Sequence, residues 1–226
     1  NDNGLTTRDE YLGVFYPSLF TSDNAGNNVV VPPSHGILRT LALSDQVSFP
    51  WFAPAGTRRG GITNASAAGY IDAEGEFKSI SLNEGQRDTL YSQSINPITF
   101  LTGAGLVNFG QKTRAKNASS LDRINVARLV IYLRSQLNKL AKPYIFEPND
   151  KITRDEIKAQ ADSLMLELVG QRALYDFLVV CDESNNTPSR IDRNELYLDI
   201  AIEPVKAVEF IYIPLRLKNT GEISGL

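Results

Sequence analysis

The chain has 226 residues, of which 42% are hydrophobic and 22% are charged, proportions that are ordinary for a soluble globular protein. Its formal net charge of −3 argues against a general nucleic-acid binder, and it lacks the apolar run of about 18 residues that would favour membrane insertion. One cysteine, Cys181, excludes an internal disulfide framework, and one histidine, His35, leaves few catalytic or metal-binding combinations. The chain begins at Asn1 and its only methionine is Met165, which indicates a fragment or a processed product.

The N-terminal part of the chain predicts a hairpin followed by a helix. The β-rich run at residues 11–20 and the apolar run at residues 29–31 flank a stretch of turn-forming residues, which is typical of a hairpin. Ser34 is expected to cap a helix that ends near Ser44, because apolar residues recur there at helical spacing.

Loops and one short helix are expected next. Residues 50–61 are rich in proline and glycine, and residues 62–85 are mostly polar with several glycines, so both stretches are interpreted as loops. One strand is predicted within them, at residues 77–82. A short helix is predicted from about Glu84 to Ser92.

The middle of the chain predicts two strands and a long helix. Residues 95–101 and 106–109 have strand composition and are separated by a glycine-containing turn. Ser119 and Asp122 resemble a capping box before residues 121–140, which are apolar around most of a helical circumference. This helix is therefore expected to be central and largely buried.

A second helix and two strands follow. Thr153 and Glu156 form another capping-box pattern, before an amphipathic helix that stops at Gly170. The apolar run at residues 177–181 predicts a strand buried on both faces, and the alternating run at residues 196–202 predicts a strand buried on one face.

The stretch at residues 207–217 carries aromatic and branched residues on both faces of an extended chain, as a strand does. Pro214 restricts such a strand to a sheet edge or a bulge, because proline cannot donate to the ladder. A long apolar edge favours pairing with another chain. The residues predicted to form this interface are Val208, Phe210, Ile211, Tyr212, Ile213, Leu215 and Leu217.

Together, these elements predict an α/β fold in which a mixed β-sheet is flanked by helices and extended by a C-terminal edge strand. Residues 1–206 are interpreted as the core domain. Residues 207–226 are interpreted as an edge strand and linking arm of the same domain.

A glycine-containing stretch comes close to a phosphate-binding loop. Gly105 and Gly110 have the required spacing, but Gln111 stands where the lysine of that motif must directly follow the second glycine. No helix is predicted to open there. A tight turn is the favoured interpretation, and no cofactor is expected.

Five carboxylates near predicted strand ends give the strongest enzyme signal, because metal-dependent hydrolases hold ions in such places. They are Asp182, Glu183, Asp192, Glu195 and Asp199. Arg190 and Arg193 are interleaved with them, so a solvated ion-pair loop is favoured and a metal-dependent hydrolase is the alternative. Cys181 is expected to be a buried small apolar residue, and His35 to lie in a helix cap region.

Several segments of the chain form a distinctive combination: Asn96-Pro97-Ile98, GQKT at 110–113, LDRINVARLVIYL at 121–133, FEPND at 146–150 and the stretch at 179–211. With these segments, the chain resembles the C-terminal core of the contractile-tail sheath proteins of tailed bacteriophages. The resemblance covers almost all of the chain, and it is stronger to the sheaths of large myophages than to type VI secretion and bacteriocin sheaths.

The resemblance implies a non-enzymatic structural subunit of a helical sheath, which surrounds an inner tail tube and contracts to drive it through the host envelope. The implied partners are other sheath subunits, the tube protein, and baseplate and tail terminator proteins. The implied location is the virion, after assembly in the host cytoplasm. In the family, N- and C-terminal extensions join the sheet of a neighbouring subunit, and residues 207–217 match the C-terminal one. No donor arm is recognisable before Tyr11.

Overall fold

The computed structural model of the protein describes residues 7–213. Its strands are β1 (Phe15–Tyr16), β2 (Ser18–Ser22), β3 (Asn28–Val31), β4 (Ala67–Ile71), β5 (Phe77–Ser79), β6 (Asn96–Leu101), β7 (Gly105–Asn108), β8 (Leu174–Val180) and β9 (Asp199–Pro204). Its helices are α1 (Pro33–Val47), α2 (Gly56–Arg59), α3 (Glu84–Ser92), α4 (Ile124–Ala141), α5 (Lys151–Gly170) and α6 (Pro188–Ile191).

The N-terminal half contains two sheets that share one apolar core. Four antiparallel strands form the first sheet in the order β3-β2-β4-β5, and three strands form the second in the order β1-β6-β7. The second sheet is mixed, because β1 runs parallel to β6 whereas β7 runs antiparallel to it. Helix α1 packs on these sheets through Ile37, beside the fully buried Leu19 and Ile98.

The C-terminal half is a layer of helices on a small sheet. Strands β8 and β9 pair antiparallel to form a two-stranded sheet. Leu129 of α4 and Met165 and Leu168 of α5 join Val179 of β8 in a second apolar core. This core includes Trp51, whose indole N–H donates to the carbonyl of Gln171 (3.1 Å) and so connects the two halves of the chain.

The predicted fold class is confirmed, since several sheets, one of them mixed, are flanked by helices. The predicted hairpin at the N-terminus is present as β2 and β3, and α3 has the predicted bounds. Strands β6 and β7 also form where the sequence predicts them. Among residues 7–213, every helix is too short or too polar to cross a lipid bilayer.

The helix starts differ from the predicted caps. Helix α1 begins at Pro33 and ends at Val47, because proline is pre-organised for the first helical position, and Ser34 caps nothing. Helix α5 is capped by Asp150, whose carboxylate accepts a hydrogen bond from the N–H of Thr153 (2.9 Å), so the predicted box at Thr153 and Glu156 is wrong.

The start of α4 is set by tertiary contacts. Ser119 accepts a hydrogen bond from the Leu121 N–H (3.2 Å) in a separate 3-10 turn, and α4 begins only at Ile124. The intervening Arg123 is extended, because Lys112 forms a β-bridge with it and the Ile124 N–H donates to the carbonyl of Gln111 (2.7 Å). The predicted capping box at Ser119 and Asp122 is therefore split from the helix that it was expected to start.

Two strand predictions also need correction. Strand β4 lies in a stretch that the sequence predicts to be loops. The small residues of β4 give no strand pattern, and the strand is instead specified by its pairing with β2 and β5. Strand β8 is not buried on both faces, since Leu178 is 61% exposed whereas Val179 is 2% exposed. Helix α5 packs on β8, whereas the side chains of Tyr175 and Leu178 in the same strand are exposed.

Candidate subunit interface

Residues 205–213, which follow β9, form no regular secondary structure. The N–H of Val205 donates to the carbonyl of Ala173 (3.0 Å), and this is the last backbone hydrogen bond of the segment within residues 7–213. The structure thus differs from the predicted edge strand over residues 207–213. A strand requires a backbone partner, and within the described part of this single chain none is supplied.

The predicted interface residues in this segment are exposed. The side chains of Val208, Phe210, Ile211, Tyr212 and Ile213 are between 65% and 88% exposed. Leu215 and Leu217 lie outside the described residues. Five consecutive or near-consecutive large apolar side chains in water form a surface of the kind that usually marks an interaction site.

Glu209 departs from its neighbours, because only 16% of its side chain is exposed. One carboxylate oxygen accepts from Arg123 Nε (2.6 Å) and the other from Arg123 Nη2 (3.0 Å). The first oxygen also accepts from the Tyr91 hydroxyl (2.8 Å) and from the Gln111 amide (3.1 Å). A bidentate guanidinium–carboxylate pair with further donors is among the strongest polar contacts in proteins. We call these four residues the Glu209 anchor.

Three separate elements position the donors of the Glu209 anchor. Tyr91 lies in the last turn of α3, Gln111 lies after β7, and Arg123 immediately precedes α4. Lys112 supports Tyr91 by donating from Nζ to its carbonyl (2.8 Å) and lying 4.2 Å from the centre of its ring. Asp122 pairs with Arg123 at 2.9 Å. The anchor therefore joins the C-terminal segment to parts of the chain that are distant in sequence.

The contacts of the Glu209 anchor also determine the protonation states of Tyr91 and Glu209. Burial, followed by the negative charge of Glu209, raises the pKa of the Tyr91 hydroxyl well above its usual range, so Tyr91 stays neutral and donates. Burial tends to raise the pKa of the Glu209 carboxyl, but hydrogen bonds from Arg123 and Tyr91 outweigh it, and the pKa falls below its ordinary value of 4.5. Glu209 is therefore ionised at neutral pH.

The sheet that precedes this segment has two unpaired edges. Strands β8 and β9 pair only with each other among the strands of residues 7–213. On the face away from α5, Tyr175 and Leu178 are 64% and 61% exposed. An extended segment of another chain could add to either edge through backbone hydrogen bonds, with these side chains beside it.

The carboxylates at residues 182–199 are used locally and do not converge. Asp182 accepts from the backbone N–H of Ser184 (2.8 Å), and Asp199 accepts from the side chain of Asn185 (2.8 Å). Glu195 pairs with Arg193 at 2.9 Å on the surface, as the ion-pair interpretation expects. Elsewhere in the loop, Asn185 and Asn186 are buried and bind backbone groups, which the sequence analysis did not anticipate.

The structure describes one group of three carboxylates whose oxygens lie within 4.8 Å of one another, and it is at Asp72, Glu74 and Glu76. The residues of the hydrolase alternative are not in it. These three side chains lie at the tip of the β4–β5 hairpin, where Lys78 pairs with Asp72 and Glu76.

The glycine-containing stretch has a structural role. A Cβ atom at Gly110 would lie 2.8 Å from the Asn96 side chain, so glycine permits this close approach. Asn96 in turn binds both the N–H (2.7 Å) and the carbonyl (2.8 Å) of Lys112. Cys181 is fully buried, as predicted, and burial raises the pKa of its thiol. His35 lies in the first turn of α1.

Sequence reasoning missed Glu209. In an alternating strand it reads as a solvent-facing polar residue, and its partners Arg123, Gln111 and Tyr91 precede it by 86, 98 and 118 positions. The only local signal is a lone acid within a run of large apolar residues. No rule of local spacing identifies its partners.

Known proteins match the chain in sequence. Residues 116–218 match the family described as Phage tail sheath C-terminal domain. A tail sheath protein of Vibrio phage KVP40 is 39% identical over 190 residues, which cover 84% of this chain and 27% of that protein. A tail sheath protein of Enterobacteria phage T4 is 34% identical over 230 residues, which cover 100% of this chain and 33% of that protein. The chain thus spans a third or less of the length of these relatives.

Solved structures match the fold. The helical sheath of the anti-feeding prophage in its contracted state superposes with a TM-score of 0.79 and 22% identity, over 96% of this chain and 60% of that one. The contracted sheath complex of an extracellular contractile injection system, PVC, gives a TM-score of 0.77 and 19% identity, over 94% of this chain and 57% of that one. At these identities, the similarity establishes the fold.

Proposed function

Because residues 116–218 match the family described as Phage tail sheath C-terminal domain, we propose that the chain is part of a structural subunit of a helical contractile tail sheath. The sheath surrounds an inner tail tube and contracts to drive it through the host envelope. The relatives named above are tail sheath proteins, which supports the interpretation that the chain is not an enzyme. The carboxylates at 182–199 do not converge, so nothing favours the hydrolase alternative.

The partners follow from this role. Other copies of the subunit form the helical lattice, and the tube protein, baseplate and tail terminator bind its inner surface and two ends. The subunit is a component of the virion tail and is assembled in the host cytoplasm. We expect no cofactor, nucleic acid or membrane partner.

The observation that carries the proposal is the contrast between exposed and anchored residues at 205–213. In this proposal, residues 1–206 are the body and residues 207–226 are the arm. Within residues 207–213, the large apolar side chains lie in water. The Glu209 anchor holds the arm to the body at one point. The arm then pairs with the unpaired edge of a β8–β9 sheet in a neighbouring subunit, through the interface residues Val208, Phe210, Ile211, Tyr212, Ile213, Leu215 and Leu217.

Such a link suits contraction. Backbone hydrogen bonds between an arm and a sheet edge keep their geometry when the two bodies rotate relative to each other, because the connecting segment absorbs the change. The body moves as a nearly rigid unit. Apolar side chains on both faces of the added strand supply the burial that holds it.

Removal of the arm tests this proposal. In the complete sheath protein, deletion of the stretch equivalent to residues 207–226 is expected to abolish tubular sheaths in electron micrographs while the circular dichroism spectrum keeps its shape. Phe210→Ser with Tyr212→Ser should reduce assembly in the same way. Leu38→Ser with Val47→Ser is the matched control, since these α1 side chains are 67% and 74% exposed and lie outside the arm. Sheaths of normal length from the arm-deleted protein would disprove the proposal.

A further inference from the structure

A groove of about 590 Å³ lies beside the root of the arm, between α2, α3 and residues 205–210. Aromatic side chains from Trp51, Phe52 and Phe109 line it. Its cations are Arg58, Arg59, Arg87, Arg172 and Lys206. We call it the arginine groove.

The five cations of the arginine groove form no ion pairs among the described residues. Arg59 and Arg172 both approach the Phe52 ring, with guanidinium carbons 4.9 Å and 6.0 Å from its centre. Burial and the nearby charges of Arg58 and Arg172 lower the pKa of Arg59. A carboxylate placed here would relieve this repulsion.

The carboxylates Glu84 and Asp88 also line the groove, on α3. Neither forms an ion pair with a groove cation among the described residues. Glu209 lines it as well, but its charge is matched by Arg123. The side of the groove formed by Arg58, Arg59 and Arg172 therefore stays positive.

A cluster of the opposite charge lies at residues that do not line the groove. The tip of the β4–β5 hairpin, residues 72–76, brings three carboxylates together and offsets them with the single ammonium of Lys78. Tyr70 and Ile71, which precede the tip, are 44% and 54% exposed. This acidic tip thus combines negative charge with adjacent apolar surface, which is the chemistry that an arginine-lined aromatic groove recognises.

We propose that the arginine groove of one subunit receives the acidic tip of a second copy of this chain. The contact joins different surfaces on the two copies, so it is heterologous and propagates into rings or helices, as a sheath lattice requires. The inference rests on the proposed function and adds to it a second contact between subunits, beside the arm. The groove adjoins the root of the arm, since residues 205–210 line it.

Cross-linking between charge-reversed variants tests this contact in the 226-residue chain. Cysteines are introduced at the groove (Ala55→Cys) and the acidic tip (Ala73→Cys), while the native Cys181 is fully buried. Oxidation should give a ladder of disulfide-linked oligomers. Arg58→Glu with Arg172→Glu should slow linking at least tenfold, and so should Glu74→Lys with Glu76→Lys. Mixing the two charge-reversed proteins should restore it, because each then meets an opposite charge.

The control is Lys139→Glu with Lys151→Glu, which makes the same charge change on α4 and α5 and should leave the rate unchanged. Equal linking rates in all variants, or no recovery on mixing, would overturn the proposal. Cross-links from Ala55→Cys only to a different protein, in assembled particles, would also overturn it by identifying another occupant. Failure here is distinct from failure of the proposed function, because sheath formation after deletion of the arm is scored separately.

Discussion

Two neighbouring regions of the chain are held in place by different forces. The layer of α4, α5 and β8 is fixed by apolar burial, and Leu129, Met165 and Leu168 are at most 1% exposed. The segment at residues 205–213 is fixed by the Glu209 anchor, while its apolar side chains remain exposed. In the first region apolar surface holds the fold together, and in the second it is exposed to solvent.

The difference shows how an arm can be oriented without being buried. If Phe210 or Tyr212 packed on the body, their burial would have to be reversed before they could bind a neighbour, at about 1.5–3 kcal/mol for each large side chain. A charged anchor avoids this competition. In the proposed function, the anchor sets the position at which the arm leaves the body, and the apolar side chains of the arm remain free to bind a neighbouring subunit.

The largest effect is expected in the buried layer. Met165→Ala removes a fully buried side chain of α5, and the cavity should lower the free energy of unfolding by about 2–5 kcal/mol. Urea denaturation followed by circular dichroism measures this change. Leu166→Ala is the matched control on the same helix, because Leu166 is 63% exposed and its truncation should alter stability little. Equal losses from both variants would contradict the assigned burial.

The second effect is confined to the arm. Glu209→Gln removes the charge that Arg123 and Tyr91 bind, so NMR order parameters at residues 207–211 should fall while the unfolding midpoint changes much less than in Met165→Ala. The pKa of Tyr91 should also move down toward its usual value, because the adjacent negative charge is gone. Glu203→Gln, an exposed change in β9, is the control. Unchanged arm dynamics in Glu209→Gln would show that the anchor does not hold the arm.

Protonation of Glu209 at low pH should weaken the Glu209 anchor. The pKa of Glu209 is lowered in the folded chain, so the contact is fully stabilising above the ordinary value of 4.5 and is lost as the pH falls through the folded value. Order parameters at residues 207–211 should therefore decrease below about pH 4.5, before the buried layer unfolds. In Glu209→Gln they should not change over this range.

Much of the fold could be predicted from sequence because its signals are local. The apolar spacing of α5 and the turn between β6 and β7 are set by residues a few positions apart. Strand β4 could not be predicted in this way. Its Gly69 packs so closely on β5 that an added Cβ atom would lie 2.1 Å from the carbonyl oxygen of Lys78, so the pairing itself, and no pattern of large residues, specifies the strand.

The candidate site was predictable only in part. The apolar character of residues 207–213 is visible in the sequence, and their exposure agrees with a role in binding. Their conformation is not visible, since an edge strand depends on a partner. The Glu209 anchor escaped prediction because Tyr91, Gln111 and Arg123 meet only after the body has folded.

A smaller effect tests how the anchor is supported. Asn83 caps α3 by accepting from the Gln86 N–H (2.9 Å), while the Gln86 side chain accepts from the Asn83 N–H (3.0 Å). Asn83→Ala should cost about 1 kcal/mol of stability in urea denaturation. The same substitution should lower the NMR order parameter of Tyr91, at the other end of the helix, only slightly. Asn83→Asp keeps a capping oxygen and should retain the stability, and a loss as large as that in Asn83→Ala would argue against the cap.

The smallest expected effect tests whether the Glu209 anchor is strong because it is buried or simply because it is an ion pair. Lys151 and Asp155 also form a short ion pair (2.6 Å), but their side chains are 75% and 57% exposed, whereas that of Glu209 is 16% exposed. Water screens the attraction between the charges of such a surface pair, and the entropy lost in ordering the two side chains offsets much of what remains. Lys151→Ala should leave the unfolding midpoint and the arm dynamics unchanged at physiological salt. A loss of arm order comparable to that in Glu209→Gln would show that surface charge at a distance, and not the buried contact, controls the arm.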